Sequence, residues 1–125
     1  MPGPGMTQQH TRSGTQAAAI STGLVSLLRE YTGRGPVRAR TTIDENMVVC
    51  VLGLTLTKSE QSLVEAGREK LVLRGRRAIQ ETMEDDARSL VEELTDRDVV
   101  AFMSNNHIDP DLAVETFILA PVATD

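Results

Sequence analysis

The stretch Met47–Leu54 reads MVVCVLGL, and it limits what this chain can fold into more than any other segment. β-branched and other apolar residues at successive positions mark a strand. Because side chains alternate along a strand, an unbroken apolar run makes both faces apolar, which suits a central strand covered on both sides. Just before it, Val37 to Ile43 alternates: Val37, Ala39, Thr41 and Ile43 point one way, and Arg38, Arg40 and Thr42 point the other. The polar break Asp44-Glu45-Asn46 between the two runs has hairpin length.

A second hairpin is predicted near the end of the chain. Asp98 to Ser104 and Ala113 to Ala120 read as strands, and Asn105 to Leu112 between them holds turn residues: Asn-Asn, Pro and two Asp. A helix precedes each hairpin. Ala17, Ile20, Leu24, Leu27, Leu28 and Tyr31 fall at steps of three and four, giving an amphipathic helix from about Gln16 to Tyr31. Gly33 stands where a left-handed residue closes a helix, and Pro36 bars continuation. Thr57-Lys58-Ser59-Glu60 is a capping box. The helical stretch it opens runs to about Leu94, with an apolar stripe at Val72, Ile79, Met83, Ala87, Leu90 and Leu94. Gly67 and Gly75 interrupt that stretch, so a short helix over 58–66 and a long one over 68–94 are predicted, with one continuous helix as the alternative.

The order is α-ββ-α-ββ, an α+β fold with a mostly antiparallel four-stranded sheet packed with two main helices. Residues 1–15 are rich in Pro, Gly, Ser, Thr and Gln without apolar period, so they read as a disordered tail, and 16–121 as a single domain. Strands two to four carry apolar residues on both faces, and two helices cover one face well. A homodimer would cover the other; helices split between the faces are the alternative.

Composition narrows the function. One Tyr, two Phe and no Trp leave few rings for base stacking, and a net charge of −5 argues against phosphate binding, so no nucleic-acid partner is expected. No apolar run approaches the ~20 residues of a bilayer span, so no direct membrane insertion is expected. The single cysteine permits no internal disulfide, and with no secretory-type apolar segment the expected setting is the cytoplasm.

Candidate chemistry is sparse. Cys50 lies inside an apolar strand, unlike a catalytic thiolate. His10 falls in the tail and His107 in the hairpin loop. His107, Asp109 and Asp111 lack the ligand count and glycine of a calcium loop and read as a solvated turn. Glu84, Asp85, Asp86, Glu92 and Glu93 read as a solvated helix face. Without a nucleophile–base pair, metal cluster or cofactor loop, the reading is a non-enzymatic protein with no cofactor and no metal. Charge is more pointed. Five basic residues and one acidic fall between Arg68 and Arg77, and eight acidic and two basic fall between Glu81 and Asp98, opposite to the helix dipole. Arg34, Arg38 and Arg40, near a glycine turn, form a candidate anion or partner site. The alternative is that Arg34 caps the helix and Arg40 pairs with an acid such as Glu115. Arg68 and Arg77 are further candidates for partner binding.

The pieces GRGP (33–36), RTTI (40–43), MVVCVLGLTLTKSE (47–60), GREKL (67–71), RR (76–77), VEELTDRDVVAF (91–102) and FIL (117–119) together resemble the MpsC-like family of small bacterial proteins, over roughly residues 16–120. Gly33, Arg34, Gly35, Pro36, Arg40, Leu56, Thr57, Glu60, Gly67, Arg68, Arg77 and Glu93 fall on its recurring positions. Gly75, Asp96 and the 105–111 loop depart from it. The resemblance implies a small protein associated with a sodium-linked membrane-potential-generating system, whose related clusters are linked to inorganic-carbon uptake through their membrane proteins. With no nucleophile–base pair, metal cluster or cofactor loop beside it, the first reading is an accessory or regulatory protein, a cytoplasmic dimer docking a membrane transporter or another protein through a charged face. The other reading is a small-anion module built on Arg34, Arg38 and Arg40.

Overall fold

A computed structural model describes residues 4–36 and 38–122, with side chains described from residue 14. Its elements are α1 (Pro4–Thr32), β1 (Arg38–Asp44), β2 (Met47–Gly53), α2 (Lys58–Glu65), α3 (Glu69–Thr95), β3 (Val99–His107) and β4 (Leu112–Leu119). The sheet is antiparallel throughout in the order β1-β2-β4-β3, so the two hairpins lie side by side through the β2–β4 pairing. The fold is α+β in the expected order, and the capped stretch is two helices rather than one.

Boundaries differ from expectation chiefly at α1 and β3. α1 begins at Pro4, not near Gln16, and so reaches back over the segment read as a tail; proline is tolerated there because the first helical N–H groups have no intrahelical acceptor. Packing starts where the apolar period does: Gly14 and Thr15 are exposed, and Gln16 is the first residue tied to the rest, donating from Nε2 to the Leu94 carbonyl. Val37, expected to open the first strand, lies outside the described residues. β3 runs on through Asn105 and Asn106, which were expected in the turn. Asn106 faces inward and exchanges two hydrogen bonds with Gln80 of α3, which gives an asparagine a reason to sit in a strand.

Both long helices pack on the same face of the sheet. Ile20 and Leu24 of α1 and Ala87 and Val91 of α3 share one core with Val48, Cys50, Leu52, Ala113, Phe117 and Leu119. Phe102 and Phe117 add an aromatic pair with centroids 4.9 Å apart. Split placement of the helices is thereby excluded. The opposite face carries Arg38, Arg40 and Thr42 of β1, Met47, Val49 and Val51 of β2, Val114, Thr116 and Ile118 of β4, and Ala101 and Met103 of β3, by their register and alternation. Among the described residues no element packs over it, and Val51 and Met103 stay 39% and 46% exposed.

α1 and α3 touch most closely at Gly23, where an added Cβ would sit 2.7 Å from a Leu90 methyl. Contacts at Gln16–Leu94 and Tyr31–Asp86 mark the two ends of the crossing. α1 ends at Thr32, one residue beyond its contact with Asp86. The first half of α3 is left without α1 above it, and a hollow opens there.

Candidate functional site

The hollow is a pocket of about 250 Å³ between the end of α1, the first half of α3 and the inner face of β4. Leu28, Tyr31 and Thr32 come from α1. Arg34 and Pro36 come from the loop after it. Thr55, Thr57 and Glu60 come from the turn into α2. Arg76, Ile79 and Gln80 form the α3 wall, and Ala113 and Glu115 form the floor.

Local structure explains each position. Gly33, at φ +78°, donates its N–H to the Arg29 carbonyl and closes α1 as expected. Leu54 also holds a left-handed conformation, at φ +57°, which costs a non-glycine residue about 1–2 kcal/mol. Its N–H donates to the Asp111 carbonyl, and the turn carries Thr55 and Leu56 onto the Asp111 carboxylate. That carboxylate accepts from the Thr55 N–H at 3.0 Å, the Thr55 hydroxyl at 2.8 Å and the Leu56 N–H at 2.9 Å. Asp111 is thus a clip between hairpins rather than a solvated turn residue.

The capping box forms as read: Glu60 N–H donates to Thr57 Oγ1 and Thr57 N–H to Glu60 Oε1. Glu60 has a second task that sequence did not reveal. Arg76 grips it with two parallel bonds, Nε to Oε2 at 2.9 Å and Nη2 to Oε1 at 2.8 Å, and sends Nη1 to Thr55 Oγ1 at 2.7 Å. Such fork-to-fork pairing is the stronger class of ion pair. Burial pushes the Glu60 carboxyl up, but the Arg76 bonds and the Thr57 groups outweigh it and hold it below the usual carboxylate range.

Glu115 is the most unusual side chain in the molecule. It is 1% exposed and stands among apolar neighbours on the inner face. Its Oε2 accepts from the Ser104 hydroxyl, while its Oε1 is buried with no hydrogen-bond partner. Burial raises the carboxyl to about 7, against the smaller lowering effects of Ser104 and of the Arg76 charge. A carboxyl of this kind changes charge near neutrality.

The arginines picked out from sequence do not form one group. Arg34 lines the pocket and is exposed. Arg38 and Arg40 project from the opposite, open face, with the Arg38 stem lying across Gly53. Arg40 cannot reach Glu115, because its register neighbours are Val51 and, beyond it, Val114, whereas Glu115 faces the helices. Arg68 precedes α3 and is exposed, and Arg77 is exposed beside a shallow groove with Glu81 and Glu84. Cys50 is buried and its thiol is pushed up by burial, away from thiolate chemistry. Among the described residues no group of His, Cys, Asp and Glu is arranged to hold a metal ion, and no helix is long and apolar enough to cross a membrane.

Two site residues escaped sequence reading, and each left a trace. The α3 stripe has a seven-residue gap between Val72 and Ile79, and Arg76 fills it at the helical step. Ala113, Glu115, Phe117 and Leu119 share one strand face, so the glutamate is the odd member of an apolar period of two.

A family model described as "Na+-translocating membrane potential-generating system (MpsC)" matches residues 12–121, most of the chain. No curated protein and no solved structure matches it.

Proposed function

From the premise that this chain belongs to the MpsC family, whose description ties it to a membrane-potential-generating system, we propose that it is a non-catalytic accessory protein acting as a homodimer. It would sit in the cytoplasm beside the membrane components of a sodium or inorganic-carbon transport system.

The observation that carries this reading is the open sheet face. With both long helices on one side, a row of apolar residues through Met47, Val49, Val51, Val114 and Met103 lies without cover from any element among the described residues. The natural occupant is a second copy. β1 carries Arg38 and Arg40 at one end of this face and Asp44 at the other. A two-fold axis running across the strands lays β1 on β1 in opposite directions. It brings Arg38 and Arg40 of each copy toward Asp44 of the other and stacks the apolar rows between them. This also gives the exposed arginines of β1 a use that an intramolecular pair does not.

Contact with a membrane component is assigned to the outer surface of α3. Arg68, Lys70, Arg74 and Arg77 are all exposed there, and only Arg76 of that basic run is drawn inward. Light scattering after size exclusion tests the dimer: twice the chain mass for wild type, and the mass of one chain for Val51→Glu/Met103→Glu. A wild-type protein that runs as one chain at 50 µM would overturn it.

A further inference from the structure

The pocket beside Glu115 has a chemical bias that the accessory role does not use. Its inner side chains are largely committed to one another. All three edges of the Arg76 guanidinium go to Glu60 and Thr55. The Gln80 and Asn106 amides satisfy each other at 2.9 and 3.0 Å. Tyr31 gives its hydroxyl to Asp86 at 2.7 Å. What remains is an acceptor, Glu115 Oε1, buried and without a partner. Leaving such an oxygen unpaired costs its full desolvation, and more if it is charged. Leu28, Pro36, Ile79 and Ala113 supply apolar walls on the way to it.

We propose that this pocket binds a small amphiphile, an apolar chain carrying a primary ammonium head, with the head donating to Glu115 Oε1 and the chain lying along Leu28, Pro36 and Ile79. The volume suits such a molecule: about 250 Å³ is roughly eight water volumes at about 30 Å³ each. A cationic head is favoured over a neutral donor because it lets a buried carboxylate ionise against a fixed counter-charge, and the Glu60–Arg76 pair nearby is internally neutral. Arg34 at the mouth is exposed, so its charge is weakened by solvent and salt. A carboxylate of the same length could meet Arg34 only at that solvated mouth, and at the inner end it would face the Glu115 carboxyl.

Amide chemical-shift mapping of the whole chain with n-hexylammonium and hexanoate tests the proposal. The expected result is saturable shifts at Ile79, Gln80, Ala113 and Glu115 with hexylammonium, binding at least tenfold weaker for hexanoate, and tighter ammonium binding as pH rises from 6 to 8. In the wild-type chain the Glu115 side-chain carbon should titrate at a lower pH once hexylammonium is present, a readout that needs no variant to fold. Glu115→Gln, checked for native amide dispersion, should weaken ammonium binding at least tenfold. Equal binding of hexanoate, shifts confined to the open sheet face, or an unmoved Glu115 titration would each overturn it. Loss of the dimer in a separate variant bears on the accessory role and leaves this result untouched.

Discussion

On the helix-covered face of the sheet, Val48, Cys50, Leu52, Phe117 and Leu119 are all 1% exposed or less. On the other face of the same strands, Met47 and Val51 remain about two-fifths exposed. The two faces share a backbone and a ladder of hydrogen bonds, and both carry rows of apolar residues. They differ in how their side chains are committed. One is an interior packed under its own helices, with a single buried carboxyl beside a pocket. The other is a surface whose apolar residues have no element packed over them among the described residues. The difference teaches that apolar patterning of a strand tells which residues are to be covered, and not which molecule covers them.

Substitutions can break that contrast, and the largest effect belongs to the covered face. Phe117→Ala should cost about 3–5 kcal/mol in urea unfolding, through lost burial and an unfilled cavity beside Phe102. Next comes the pH dependence of stability. Glu115 has a raised carboxyl in the fold, about 7 against 4.5 for the ordinary group, so the folded chain holds this proton after the unfolded chain has lost it. Its contribution is complete below about pH 4.5 and is lost as pH rises to about 7. The loss is on the order of 3 kcal/mol for this shift. Glu115→Gln should flatten the unfolding midpoint over that window, and a slope that survives the substitution would assign it to another group. The smallest effect is expected on the open face. Val51→Thr should change stability by less than about 0.5 kcal/mol in dilute solution, where chains are separate. A larger loss there would mean that the open face is packed in the isolated chain after all.

Much of this architecture was legible in the residues themselves. MVVCVLGL announced a central strand, Gly33 and Pro36 ended α1, and Thr57 and Glu60 capped α2, because each acts over a few residues through steric or hydrogen-bond rules. The pocket was not legible in the same way. It exists because α1 ends at Thr32, near Asp86 of α3, and leaves Arg76, Ile79 and Gln80 beyond its end; where one helix stops along another is not written in either alone. The arginines were misjudged for a related reason. Spacing along β1 correctly placed Arg38 and Arg40 on one face, but nothing local said that Arg34 would lie on the other side of the sheet. Arg76 and Glu115 were visible only as irregularities in a period, a missing apolar step and an intruding acid. Both irregularities turned out to face the pocket.

Asp111 has a consequence for how the chain assembles in time. Its carboxylate holds Thr55 and Leu56, which stand more than fifty residues earlier, and it does so only when the second hairpin is already seated beside the first. Closing so long a loop is entropically slow, and the reward arrives last. The first hairpin can therefore form early on local contacts, while the turn that shapes the pocket wall is fixed only when the two halves have met. The geometry of that pocket wall therefore belongs to the two halves together rather than to either half.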